Sequence, residues 1–197
     1  MVRDIVIFGD AVLREKCPQV TLVDDDIRKL AEDMIDTMRA ADGIGLAAPQ
    51  VGVALQLAVV DVSEAKEPMT YLRVDGTEAK LEDWSPLIFT NPKLEFPTKT
   101  KGSMNEGCLS FPELRAPVTR PEEVRATLTL LDGRTIVMET DGLFSRAIQH
   151  ETDHLNGVLF IDRTTSASKL SLKKKIKMMQ EDWGRAWTPV PETDEER

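Results

Sequence analysis

His150, Glu151 and His154 stand in the order His-Glu-x-x-His and include both histidines of a 197-residue chain. On a helix, a spacing of four sets two imidazoles on one face about one turn apart, where they can share a cation. Glu151 between them can then reach a water on that cation as a general base. The alternative is a solvated helix whose histidines happen to pair. A tetrahedral catalytic site takes three protein ligands and keeps one position open. Metallopeptidases ordinarily find the third ligand downstream, yet Leu155 to Asp162 offers no histidine and no glutamate. Upstream, Glu106-Gly107-Cys108-Leu109-Ser110 sets a thiol beside a glycine that permits close approach. Alone, Cys108 reads as a small buried hydrophobe; beside a two-histidine helix that lacks a third ligand, it is the ligand to expect. Cys17, next to Pro18, keeps the reading of a core or surface residue. Gly43 to Gln50 (GIGLAAPQ) follows a helical pattern instead of a strand and lacks the dinucleotide spacing. It reads as an active-site wall, with backbone amides near a substrate and the Gln50 carboxamide as a donor to a developing oxyanion.

These groups need elements to hold them. Asp24 to Ala41 carries Ile27, Leu30, Met34, Met38 and Ala41 at three- and four-residue steps, which predicts a helix stopped by Gly43 and Gly45. Leu55 to Asp61, Leu87 to Asn91, Gly107 to Phe111 and Val124 to Leu131 predict strands, and Asp132-Gly133 a turn into a return strand at Thr135 to Glu139. The His-Glu-x-x-His motif falls on a predicted helix from about Asp141 to Leu155, capped by Thr140 and ended by Asn156-Gly157. A last helix is expected over about 168–184, with Leu172, Ile176, Met179 and Trp183 as its apolar stripe and Lys173, Lys174, Lys175 and Lys177 on its other faces. Short strands interleaved with helices predict an α+β fold: one compact domain with short mixed or antiparallel sheets around the central His-Glu-x-x-His helix, and a C-terminal helix. The expected boundaries are a catalytic unit over 1–187, with a core at 1–165, and a disordered tail at 188–197. Residues 63–103 read as a long surface excursion.

The balance of 25 basic and 34 acidic residues gives a net charge of -9, which argues against a dedicated nucleic-acid binder and against DNA as a partner. Two cysteines make no disulfide framework, and no stretch approaches a membrane span. The start MVRDIVIFGD lacks a signal-peptide pattern, so the expected address is the cytoplasm.

In this order GIGLAAPQ at 43–50, EGCLS at 106–110 and QHETDHLNG at 149–157 resemble the three signature motifs of bacterial-type peptide deformylases. The likeness extends over most of residues 1–165, through GDAVLREKCPQV at 9–20 and FPELRAPVTRPEEV at 111–124. The resemblance implies a hydrolase that removes the N-formyl group from the initiator methionine of nascent polypeptides and releases formate. It implies Cys108, His150 and His154 as ligands of one divalent metal, ferrous iron first, with nickel, cobalt or zinc tolerated; spacing alone would favour zinc. It also implies Glu151 as the acid/base, Gln50 and the Leu109 amide as oxyanion donors, and Ile44, Gly45, Arg115, Ala147 and Ile148 along the substrate. A monomer is expected, and the lysines of the last helix suggest a transient contact with ribosomal RNA. The rivals are a general metallopeptidase with a downstream acidic ligand, and a non-catalytic metal-stabilised protein.

Overall fold

The computed structural model describes residues 1–190, in which strand β1 (Ile5–Val6) leads to helix α1 (Asp25–Ala40). The Asp24 carboxylate accepts from the Ile27 N–H at 2.9 Å, and Asp25 and Asp26 fill the first turn, where the helix dipole favours negative charge. Strands β2 (Gly45–Ala47), β3 (Leu57–Val60), β4 (Leu72–Val74), β5 (Thr77–Glu78) and β6 (Leu87–Glu95) follow. Next come β7 (Lys101–Cys108), β8 (Phe111–Pro121), β9 (Val124–Thr129) and β10 (Thr135–Thr140). Helices α2 (Gly142–Leu155), α3 (Phe160–Arg163) and α4 (Ser166–Trp183) lead to a last short strand, β11 (Ala186–Trp187).

The strands make an α+β arrangement of three sheets: a seven-stranded sheet in the order β2-β3-β6-β9-β10-β4-β5, the β7-β8 ribbon, and the β1-β11 pair. Every strand pair in them is antiparallel. Helix α2 packs on β2 and β3. Its Phe144, Ile148 and Leu155 join Phe89, Leu128 and Met138 in one core, so the helix that carries the two histidines is fixed along its whole apolar face. Helix α1 builds a second core with Met34, Met38, Leu46 and Val59. The third joins Leu172 and Met179 of α4 to Ile7, Leu13, Phe111 and Val118.

Three local expectations are corrected. The strand expected over Gly107 to Phe111 is the turn between β7 and β8, with Leu109 and Ser110 at its tip and Cys108 opposite Phe111. The α2 cap position belongs to Asp141, not Thr140; its carboxylate accepts from the Thr70 N–H at 2.7 Å and so is used across the chain. Helix α4 begins two residues early because Thr165 accepts from the Ser168 N–H at 3.2 Å. Of the tail, Thr188 bonds Asp4 and Pro189 is buried. Residues 191–197 lie outside the described part.

The excursion after β3 has a structural task. Pro68 accepts the Phe144 N–H at 3.0 Å, which together with the Thr70–Asp141 bond covers the first turn of α2. At its root, Asp61 accepts from Ser63 and Ser85 and pairs with Arg39, and its own N–H donates to the Ile44 carbonyl at 2.9 Å. The excursion thus braces both the GIGLAAPQ segment and α2. Among the described residues no helix is long and apolar enough to cross a membrane.

Candidate metal centre

Helix α2 presents His150 and His154 one turn apart, with ring centroids 5.1 Å from each other. The β7-β8 turn brings Cys108 against them, with its Sγ 3.3 Å from His154 Nε2. One donor atom from each of Cys108, His150 and His154 lies within 4.8 Å of the others. This soft-and-borderline donor set suits a transition metal, and three ligands leave room for a fourth position.

The surroundings push the two histidines in opposite directions. Burial opposes a charge on His150, but the Cys108 sulfur and the Glu106 carboxylate beside it carry its pKa up to about 10. Burial, and then neighbouring His150 and Arg120, hold His154 well below the ordinary histidine value, in the neutral form a metal ligand needs. His150 Nδ1 sits 2.9 Å from Glu106 Oε2. A proton held there for the carboxylate leaves Nε2 with its lone pair free, the usual way a protein fixes a ligand's tautomer.

Glu106 anchors a buried ionic network that the sequence reading missed. Arg120 donates to it through Nε and Nη2 at 2.7 and 2.9 Å, and Arg146 through Nη1 at 2.7 Å. Arg120 Nη1 also reaches Asp153 at 2.7 Å, and Arg163 closes on the same carboxylate at 2.6 Å. Burial opposes the charge of Glu106, yet donation from His150 and Arg120 holds its carboxyl far below the usual range. A sequence signal existed: period two on β7 sets Glu106 and Cys108 on one face.

Glu151 is buried beside the triad, and burial pushes its pKa up to about 7. Its Oε2 finds no hydrogen-bond partner among the described residues. Gly45 is what allows this placement, since a Cβ there would come within 2.8 Å of Glu151 Cδ. Gln50 is buried; its Oε1 accepts from the Ala47 N–H at 2.8 Å, and its Nε2 lies 3.4 Å from both Cys108 Sγ and Ser110 Oγ. The carboxamide is thus pinned with its donor end toward the sulfur.

Gln50, Glu106, Cys108, His150 and Glu151 line a cleft of about 660 Å³ that also takes in Ile44, Gly45, Leu109, Arg115 and Ala147. Ile148 is not with them; it is fully buried in the sheet-facing core, and Leu143, one turn before Ala147, lines the wall in its place. Sequence reasoning missed Leu143, although the i, i+4 spacing from Ala147 would have found it. The cleft is also walled by Trp183 and Trp187 from the end of the chain. Asp162, the first carboxylate after His154, is occupied by Arg14 and by the Leu159 N–H at 2.9 Å, so it offers no ligand to a downstream-type site.

The sequence profile of the polypeptide deformylase family matches residues 2–170. A peptide deformylase of Methylacidiphilum infernorum is 41% identical over 194 residues, covering 98% of this chain and all of its own. Among solved structures, peptide deformylase from Ehrlichia chaffeensis superposes with a TM-score of 0.78 at 32% identity, over 92% of this chain and 98% of its own. The enzyme from Synechococcus elongatus, solved with actinonin, gives 0.72 at 37% identity over 91% and 85%.

Proposed function

The chain belongs to the polypeptide deformylase family, and on that premise we propose how its own residues carry out the family's reaction. It is a metal-dependent hydrolase that removes the N-formyl group from the initiator methionine of nascent polypeptides, adding water across the formyl C–N bond to give formate and a free amine. Cys108, His150 and His154 hold the metal, and ferrous iron is the ion we assign, with nickel, cobalt or zinc as substitutes. Bound there, a divalent cation supplies Lewis acidity to water and to the formyl oxygen.

The protein's residues do the rest. Glu151, with a carboxylate oxygen unpartnered and its pKa near 7, takes the proton from the attacking water. Gln50 Nε2 and the Leu109 N–H receive the oxyanion that forms on the formyl oxygen. Glu151 then passes its proton to the amine nitrogen, the C–N bond breaks, and formate leaves. Ile44, Leu143 and Ala147 take the methionine side chain, Gly45 meets the substrate backbone, and Arg115 lies along the residues that follow. We read 1–187 as the catalytic unit, working in the cytoplasm as a monomer. The exposed Lys173, Lys174, Lys175 and Lys177 of α4 support a transient ribosome contact, which fails if reversing two of them to Glu leaves ribosome co-sedimentation unchanged.

The observation that carries this reading is the meeting of Cys108, His150 and His154 beside an unpaired Glu151 carboxylate oxygen, at a cleft that Cys108, His150 and Glu151 line. Its test is formate release from an N-formyl-methionyl tripeptide by enzyme prepared without oxygen. Release should depend on the formyl group, vanish on chelation and return with added ferrous iron. A folded, iron-loaded protein that releases no formate would refute it.

A further inference from the structure

Leu109 and Ser110 form the tip of the β7-β8 turn, where ladder bonds end. Their carbonyls are held from outside the ribbon by the two ends of the chain. The Phe8 N–H, just after β1, donates to the Ser110 carbonyl at 2.9 Å. The Trp187 indole N–H, on β11, donates to the Leu109 carbonyl at 3.1 Å.

Trp187 is itself fixed. After α4 the chain turns at Gly184, where φ is +68°, and returns antiparallel to β1 with Trp187 opposite the fully buried Ile5. The Ile7 N–H donates to the Arg185 carbonyl at 2.8 Å, extending the pairing. The Trp187 ring packs against two of the three cores, and Trp183 meets it edge-on with centroids 5.5 Å apart. This is a rigid donor on a braced strand.

We propose that Trp187 is a positioning residue of the catalytic site: by holding the Leu109 carbonyl it fixes the backbone that aims the Leu109 N–H at the formyl oxygen. The inference rests on the oxyanion role given to Leu109 above. Two peptide planes meet at Leu109. The plane before it carries the N–H and is tied to Cys108, while the plane after it carries the carbonyl that Trp187 holds. The Leu109 side chain is confined as well, since a Cβ at Gly43 would lie 2.8 Å from its Cδ1. With both planes and the side chain restrained, the N–H is preorganised and does not have to be ordered during reaction.

Losing an oxyanion donor outright lowers kcat by about 10²–10³-fold, so loosening one should lower it by about 10-fold. Trp187→Phe removes the N–H and keeps an aromatic ring for packing. In iron-loaded full-length enzyme we expect kcat to fall about 10-fold with KM within about twofold, because the donor acts on the transition state. Benzothienylalanine at 187, isosteric with tryptophan but lacking the N–H, should reproduce that loss. 7-Azatryptophan, which keeps the N–H, should restore wild-type kcat. A kcat unchanged by both Trp187→Phe and benzothienylalanine would overturn the role of Trp187. Gln50→Ala reads the oxyanion assignment separately. Full activity there removes Gln50 from the oxyanion pair without touching the Leu109 N–H, whereas a crippled Gln50→Ala beside an unimpaired Trp187→Phe overturns the role of Trp187 and leaves the oxyanion assignment standing.

Discussion

Glu151→Gln should lower formyl-dependent formate release by about 10²–10⁴-fold, the range a positioned general acid–base contributes, while the metal content stays at that of the unaltered enzyme. The amide has the shape of the carboxylate and can neither take the water proton nor return it to the amine. Since Glu151 is not one of the three ligands, the loss should appear in kcat with KM nearly constant, and metal analysis should find no deficit. Stability supplies a second reading. Folding raises the Glu151 pKa from the ordinary 4.5 to about 7 through burial, so the folded state binds a proton more tightly than the unfolded state. In metal-free protein that contribution is full below about pH 4.5 and is lost as pH rises through 7; the Gln variant lacks the decline and should be no less stable than wild type at neutral pH. A Glu151→Gln enzyme that keeps its full kcat would remove Glu151 from the mechanism.

The part of the site visible in the sequence is the part that obeys a local period. His150 and His154 lie one helical turn apart, so a predicted helix and a residue count are enough to bring them together. Cys108 required elimination, because its partners are more than forty residues away and only the absence of a ligand after His154 pointed upstream. What stayed hidden obeys no local rule. Arginine is seldom buried unless paired, and Glu106, the common partner of Arg120 and Arg146, is their neighbour only in three dimensions. Of the β7-β8 ribbon the sequence predicts only a strand over Gly107 to Phe111, and the rest escapes notice for a related reason. Leu114, Ala116, Val118 and Arg120 alternate inward along β8, but Pro112, Pro117 and Pro121 break the appearance of a strand. Proline is tolerated because a two-stranded ribbon consists entirely of edges, with half its N–H groups facing away from the partner. The strand that brings Trp187 back to the cleft is two residues long and follows a glycine turn, too short to carry any periodicity.

Glu106→Gln is expected to destabilise the fold by about 3–5 kcal/mol, the cost of leaving buried charges without their partner. The carboxylate accepts from two buried arginines at 2.7–2.9 Å, and Arg120 then keeps only Asp153 as a counter-charge. A neutral amide cannot accept along both oxygens, and its NH₂ must point at a guanidinium or at His150. The metal should suffer separately, because His150 loses the carboxylate that fixes its Nδ1 proton; removing such a partner lowers affinity by about 10–100-fold. Urea unfolding of metal-free protein isolates the first effect, and competition with a chelator the second. The pH dependence identifies the cause. Folding holds Glu106 below its ordinary 4.5, so its contribution is fully present above about pH 4.5 and is lost as pH falls through the depressed folded value. The gap between wild type and variant should therefore be widest at neutral pH and narrow with acid. A gap that does not change with pH would mean that packing, and not the buried ion network, is what Glu106 contributes to holding Cys108 and His150 in register.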